Sequence, residues 1–142
     1  MTDITVYSTG YQSEKRSWYL GTADQPGYTI GGTLDVSAFT AATHYPNGYL
    51  LSGIILGKIT ASGLYKPYDD AAVDGSQTAV GILFSSVKVP NLADLTKDCA
   101  GAILTAFAAV SLAKLPIANG ATGKGFIDAA GQTDLKLIYF AA

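Results

Sequence analysis

The stretch from Ser52 to Leu83, SGIILGKITASGLYKPYDDAAVDGSQTAVGIL, constrains the fold more than any other part of the chain. Short runs of β-branched and aliphatic residues are separated there by glycine-containing turns, which is typical of short strands. Gly53 and Gly57 interrupt one run and indicate bulges or a close approach of another backbone segment. Pro67 restricts its segment to an edge strand or a strand end. The stretch therefore predicts a β-rich domain.

The rest of the region 28–142 continues this pattern. Residues 28–36 predict a first strand with a bend or bulge at Gly31–Gly32. Residues 100–116 predict a long strand or a strand pair, although their alanines leave a buried helix as the alternative. Residues 90–98 fit either a short helix that Asn91 caps or a plain loop. Residues 134–140 predict a closing strand, so the chain reads as one domain over 28–142.

Residues 1–27 lack any sustained helical or strand periodicity. They mix small polar residues with Tyr7, Tyr11, Trp18 and Tyr19. Few aliphatic residues are present to offset the entropy of ordering, which favours disorder. Large aromatic rings, however, often fasten a segment to a partner surface. We therefore expect an extended N-terminal arm that becomes ordered on binding.

The amino-acid composition limits the classes of function that this chain can have. Charged residues make up 14% of the chain, against roughly 25% in an ordinary soluble domain, which suits a surface covered by identical subunits or by another partner. A Gly/Ala-rich monomer is the alternative. Net charge is −2 and Arg16 is the sole arginine, so direct nucleic-acid binding is not expected. The sequence has neither an apolar run long enough to span a membrane nor a signal-peptide pattern at its start, and we expect neither feature.

Acidic residues cluster in one loop without the spacing of a calcium site. Starting at Asp70, an EF-hand pattern would require ligands where Ala72 and Gly81 stand. We expect instead that Asp69, Asp70 and Asp74 bond to their own backbone in turns. A carboxylate pair for glycoside hydrolysis is also not indicated, since the chain has a single glutamate.

Other catalytic patterns are incomplete. The segment 119–125, NGATGKG, lacks the first glycine and the hydroxyl residue of a phosphate-binding loop. His44, the one histidine, follows the pattern of a loop residue beside a Tyr-Pro-Asn-Gly turn. Cys99, the one cysteine, fits a small core residue in a reducing compartment. We predict no catalytic residue, no metal ligand and no cofactor.

The order of segments in 45–142 resembles that of the head decoration proteins of lambda-like tailed bacteriophages. The residues that carry the resemblance are Gly53–Lys58, Leu64–Lys66, the acidic loop Asp69–Gly75, Ala79–Leu83, Phe126–Ala129 and Leu135–Tyr139. The resemblance implies a small, mainly β, β-tulip-like fold with one or two short helices and an extended N-terminal arm. It also implies a non-enzymatic protein that sits as trimers on the threefold axes of an expanded icosahedral capsid and cements it against the pressure of packaged DNA.

This resemblance implies partners and residue roles. The major capsid protein and the protein's own copies would be the partners, with no nucleic acid or membrane, and the location would be the outer surface of the virion after synthesis in the host cytoplasm. Another β-rich virion module that binds a tail, a host surface or a glycan is the alternative. For the arm, we expect shell contacts from Thr5, Val6, Tyr7, Tyr11, Trp18 and Tyr19. For core or trimer packing, we expect Ile54, Leu56, Val80, Ile82, Leu83, Ile103 and Leu137.

Overall fold

A computed structural model describes residues 16–21 and 27–142. This part of the chain is mainly β, with 33% strand and 13% helix, as predicted. Its strands are β1 (Tyr28–Leu34), β2 (Tyr49–Leu50), β3 (Ile55–Lys58), β4 (Tyr65–Pro67), β5 (Ala79–Leu83), β6 (Val87–Lys88), β7 (Cys99–Ala106), β8 (Ala108–Ser111) and β9 (Ile138–Ala141). Two short α-helices, α1 (Ala41–His44) and α2 (Ala129–Asp134), and the 3-10 turns Val36–Ala38 and Leu112–Lys114 complete it.

Five of the strands close into a small barrel in the order β1-β4-β3-β5-β7. Neighbouring strands are antiparallel except β1 and β4, which meet in parallel at the pair Leu34 and Tyr65. Strands β2 and β6 form an antiparallel pair, whereas β8 and β9 form a parallel pair. The barrel thus carries two small accessory sheets.

Apolar residues lie on both faces of the barrel sheet. Along β3, Leu56 belongs to one buried cluster, while its neighbour Ile55 belongs to a second one. Along β5, Leu83 and Ile82 are divided between the same two clusters. Because successive strand residues point to opposite faces, a strand covered on both sides is apolar at every position. This explains the unbroken runs ILG and GIL in the sequence.

The structure buries most of the residues expected in the core. Five of them have no exposed surface, namely Ile54, Leu56, Ile82, Leu83 and Ile103, and Val80 is partly buried against the first cluster. Leu137 is different, because 60% of its surface is exposed. The next residue, Ile138, takes the inward position of β9, so Leu137 is not a core residue. A role of these residues in trimer packing remains a prediction.

The structure refines three predictions about glycine and proline residues in the strands. Gly57 lies where the register of β3 and β5 shifts, and a Cβ there would stand 2.5 Å from the carbonyl oxygen of Ser76. Bulge and close backbone approach therefore coincide at Gly57. In β1 the register shift falls between Tyr28 and Thr29, not at Gly31–Gly32. Pro67 ends β4, which has a partner strand on each side, so it marks a strand end rather than an edge strand.

The structure also assigns the segments for which the sequence allows more than one interpretation. Residues 99–111 form two successive strands, β7 and β8, which meet at Phe107 and pair with other strands; the helical alternative is wrong. Residues 90–98 contain turns without a helix. The closing strand is shorter than predicted, because α2 and a turn occupy the chain up to Leu137. No helix in the described ranges is long and apolar enough to cross a membrane.

Candidate interaction surface

Trp18 fixes the base of the N-terminal arm in the domain. Only 1% of its surface is exposed. Its Nε1 donates a hydrogen bond to Ser52 Oγ at 3.1 Å, and Ser52 Oγ donates to the carbonyl oxygen of Phe84 at 2.9 Å. The ring lies against Gly53, where a Cβ would come 2.9 Å from the indole nitrogen. The buried indole therefore has its one polar group satisfied.

The backbone around Trp18 adds a short strand to β8. The amide of Ser111 donates to the carbonyl of Trp18 at 2.7 Å, and the amide of Leu20 donates to the carbonyl of Ala109 at 3.0 Å. Between these bonds, Tyr19 forms an antiparallel bridge with Val110. Residues 18–20, β8 and β9 thus lie side by side. We call this three-stranded unit the side sheet.

Aromatic contacts reinforce the same attachment. The rings of Tyr19 and Phe84 stand edge to face with centroids 5.3 Å apart, and Trp18 meets Tyr19 at 6.0 Å. The guanidinium of Arg16 lies 4.3 Å from the centroid of Phe84, within the range of a cation–π interaction. Burial raises the pKa of the Tyr19 hydroxyl, against the lowering effect of the Arg16 charge. Residues 16–19 are consequently part of the domain.

Within the predicted arm of residues 1–27, this attachment corrects the prediction for residues 16–21, which the structure describes. Trp18 and Tyr19 pack on the second core cluster, so the Trp18 ring is not exposed for the predicted shell contact, and Tyr19 is half-buried. Large rings in an otherwise polar segment were the correct signal of an attachment. The sequence did not reveal that the attachment surface belongs to the chain itself. The other predicted contacts, Thr5, Val6, Tyr7 and Tyr11, lie outside the described residues.

Three exposed apolar side chains lie at or just before the first residues of β8 and β9. Phe107 and Tyr139 are 71% and 70% exposed. The Phe107 amide donates to the carbonyl of Leu137 at 2.9 Å, which places Phe107 beside the start of β9. Leu137 and Tyr139 alternate with the inward Ile138. We call Phe107, Leu137 and Tyr139 the apolar face.

The acidic loop has a structural role. Asp69 and Asp74 accept hydrogen bonds from backbone amides two residues further on, at 2.9 and 3.0 Å, which are the predicted turns. Lys124 pairs with Asp69 at 2.7 Å, and Lys66 pairs with Asp74 at 3.0 Å. The Lys124 hydrogen bond lowers the pKa of Asp69, and bonds from Ser76 lower that of Asp74. Within residues 16–21 and 27–142, no cluster of three or more His, Cys, Asp or Glu side chains could hold a metal ion.

His44 is buried, contrary to the expectation of a loop residue. Its Nδ1 accepts from the Thr40 amide at 2.8 Å, and its Nε2 stands 2.6 Å from the carbonyl oxygen of Lys124, so Nε2 carries the proton. Burial lowers the pKa of this imidazole. Both nitrogens are engaged by backbone groups, and the ring joins α1 to the loop before α2 instead of acting as a base.

Burial raises the pKa of the Cys99 thiol, which disfavours the nucleophilic thiolate.

Comparison with known proteins places the chain in a family. A search of curated proteins found no matching relative. The family model described as bacteriophage lambda head decoration protein D matches residues 22–135. The match includes the whole barrel and leaves the base of the arm and β9 outside. Because it spans well over half of the 142 residues, the chain belongs to the bacteriophage lambda head decoration protein D family.

Proposed function

We propose that the protein is a cement protein that binds as trimers to the outer surface of an expanded icosahedral phage head and stabilises it against the pressure of packaged DNA. Its partners are the major capsid protein and its own copies. It acts by binding alone, without catalysis, cofactor, nucleic acid or membrane. Family membership is the observation that carries this proposal, and the low charged fraction of 14% supports extensive covered surface.

The attachment of residues 16–21 to the domain supports the proposal that the N-terminal arm binds the shell. Residues 1–15 precede Arg16, and from there on the chain is held by the side sheet and by the buried Trp18. Because residues 16–21 are attached to the domain, residues 1–15 would reach the shell from a fixed starting point. An extended arm can add main-chain hydrogen bonds to a sheet edge of the shell, with Val6, Tyr7 and Tyr11 in pockets. Three linked arms would make the later contacts intramolecular, which raises avidity.

Three measurements test the proposal. The solution mass should be three times the 14.7 kDa of one chain. The protein should co-sediment with expanded, undecorated heads and raise the temperature at which they release DNA. A monomeric mass would refute the trimer, and absence from the head fraction would refute the function.

The arm is tested by deleting residues 2–15, which leaves Arg16 and Trp18 in place. We expect the truncated protein to keep its mass and melting temperature but to bind heads more weakly. A chain in which residues 2–15 are replaced by a Gly/Ser segment of equal length is the matched control, and it should bind as weakly as the deletion. Undiminished binding of both variants would exclude the arm as a shell contact.

A further inference from the structure

The two asparagines that precede a glycine lie in turns that are held differently. Asn47 and Asn119 are both exposed at the surface. Asparagine is one of the thermolabile residue types in proteins. It deamidates most readily before glycine, because glycine has no side chain to shield its amide nitrogen from the asparagine side chain. The chain therefore presents one reactive sequence in two structural settings.

The Asn119 pair is held weakly. One backbone hydrogen bond closes its turn, from the Ala121 amide to the carbonyl of Ala118 at 3.1 Å. In the described part of the chain, neither the Asn119 side chain nor the Gly120 amide has a hydrogen-bond partner. Beyond its chain neighbours, no described atom lies within 4 Å of the position that a Cβ on Gly120 would occupy. The asparagine side chain therefore has room to turn toward the Gly120 nitrogen.

The Asn47 pair is fixed by its surroundings. The Gly48 amide donates to the carbonyl of Tyr45 at 3.0 Å, and the Gly48 carbonyl accepts from the Val89 amide at 2.9 Å. Strand β2 begins at the next residue. Attack by the Gly48 nitrogen on the Asn47 side chain would require this turn to open locally.

The third asparagine, Asn91, serves as an internal reference. It precedes Leu92, whose branched side chain shields the amide that would attack. Its own Oδ1 accepts a hydrogen bond from the Ala93 amide at 2.9 Å. Both features oppose deamidation at Asn91.

We propose that Asn119 is a site of spontaneous deamidation in the folded protein, whereas Asn47 is protected by its turn. The deprotonated Gly120 nitrogen attacks Cγ of Asn119 and forms a new C–N bond, which closes a succinimide ring. The C–N bond of the side-chain amide breaks and releases ammonia. Water then opens the ring at either carbonyl and leaves aspartate or isoaspartate, so that the reaction consumes water and replaces an amide by a carboxyl group.

The modification changes the loop rather than the core. It adds a negative charge to a chain whose net charge is −2, and isoaspartate also adds a methylene group to the main chain. Residues 118–120 are exposed, whereas Ile117 and Gly125 on either side are buried. This loop would therefore accumulate negative charge as the protein ages.

Peptide mapping by mass spectrometry, after incubation of the folded full-length protein at pH 8, tests the proposal. Trypsin places Asn47, Asn91 and Asn119 in the separate peptides 17–58, 89–97 and 115–124. We expect conversion at Asn119 to be at least about fivefold faster than at Asn47, because the Gly48 amide must first lose a hydrogen bond. Asn91 should be the slowest of the three. Equal rates at Asn47 and Asn119, or a slower rate at Asn119, would overturn the proposal.

Incubation in urea is the matched control for the effect of the fold. It should bring the rates at Asn47 and Asn119 together, because both turns are then lost. A difference that persists in urea would assign the effect to the neighbouring sequence and overturn the protection by the turn.

The route through Gly120 is tested by the products and by a variant. Isoaspartate should exceed aspartate at position 119, and incubation in oxygen-18 water should label the new carboxyl group. Asn119→Gln keeps an uncharged amide but lengthens the side chain, which disfavours ring closure, so peptide 115–124 of this variant should stay unmodified. Aspartate without isoaspartate, or equal conversion of the variant, would overturn the ring-closing step.

Discussion

Trp18 Nε1 donates a hydrogen bond to Ser52 Oγ at 3.1 Å, across 34 positions of sequence. This bond joins the base of the N-terminal arm to the loop that precedes β3. Since Ser52 also donates to the carbonyl of Phe84, one hydroxyl connects the arm, β3 and the end of β5. The arm is therefore anchored at Trp18, and the domain begins before β1.

Replacing Trp18 should destabilise the domain more than any other change in residues 16–21. We expect Trp18→Ala to lower the free energy of unfolding by about 3–5 kcal/mol, because a large buried side chain leaves a cavity. Urea denaturation measures this value. Trp18→Phe, which keeps most of the apolar volume, should cost clearly less. A loss below about 1 kcal/mol for Trp18→Ala would show that the base of the arm does not belong to the core.

The Ser52 hydroxyl should also stabilise the folded domain, through its hydrogen bonds to Trp18 and Phe84. Ser52→Ala should cost about 1–3 kcal/mol, because it leaves the buried indole N–H and the Phe84 carbonyl without their partner. In a double-mutant cycle with Trp18→Phe, the two losses should be less than additive. Full additivity would mean that the two side chains are energetically independent.

Glycines in the barrel should differ sharply in their tolerance of a methyl group. Gly57→Ala should destabilise the protein by about 1–3 kcal/mol or more, since its Cβ would meet the backbone of Ser76 at 2.5 to 2.6 Å. Gly31→Ala is the matched control: no atom lies within 4 Å of its Cβ, and it should be neutral or stabilising by about 0.4–1 kcal/mol. Equal effects of the two changes in thermal denaturation would contradict the close approach at Gly57.

The strand content of the barrel could be predicted from the sequence because local pattern determines it. The runs around Ile55 and Ile82 are bounded by glycine turns and apolar on both faces. The side sheet could not be predicted, since Tyr19 meets Val110 from a distant part of the chain. In the segment LKLIYF of residues 135–140, almost every position is apolar. Its inward face is set by pairing with β8, so Ile138 rather than Leu137 is buried.

The candidate site was predictable only in outline. Aromatic residues in 1–27 indicate that this segment packs on a protein surface. A single sequence does not distinguish a hydrogen-bond acceptor in the same chain, such as Ser52, from one on another protein. His44 was assigned to a loop because its neighbours have turn chemistry. Its burial depends on the carbonyl of Lys124, which comes from a segment 80 positions away.

Acidification should destabilise the protein through His44. Burial lowers the folded-state pKa below its ordinary value of 6.5, so the unfolded chain takes up the proton first as the pH falls. The contribution is complete above about pH 6.5 and is lost as the pH falls from there through the folded-state pKa. Urea unfolding at pH 7.5 and at pH 5.5 should reveal the loss.

The chain contains one histidine, which makes the control simple. His44→Gln should be less stable at pH 7.5, yet its stability should change much less between the two pH values. An equal pH dependence of the wild type and the variant would assign the effect to another group.

Asp128 should stabilise the start of α2. Its Oδ1 accepts from the Gly131 amide at 2.7 Å and from the Tyr68 hydroxyl at 3.0 Å. Burial, followed by this bond, raises the pKa of Tyr68. We expect Asp128→Ala to cost about 1–3 kcal/mol, since it removes the helix cap and leaves a buried hydroxyl without an acceptor.

Asp128→Asn, which keeps one acceptor oxygen, is the control and should cost less in thermal denaturation. Tyr68→Phe should also cost less than Asp128→Ala, because the cap remains. If the alanine variant melted like the wild type, the cap would contribute nothing.

The most direct test of the account is a cryo-electron microscopy reconstruction of expanded, undecorated heads incubated with the protein. We predict three copies around each local threefold axis on the outer surface, with density that continues from Arg16 of every copy to the shell. Single copies scattered over the shell, or the absence of density between Arg16 and the shell, would contradict the account.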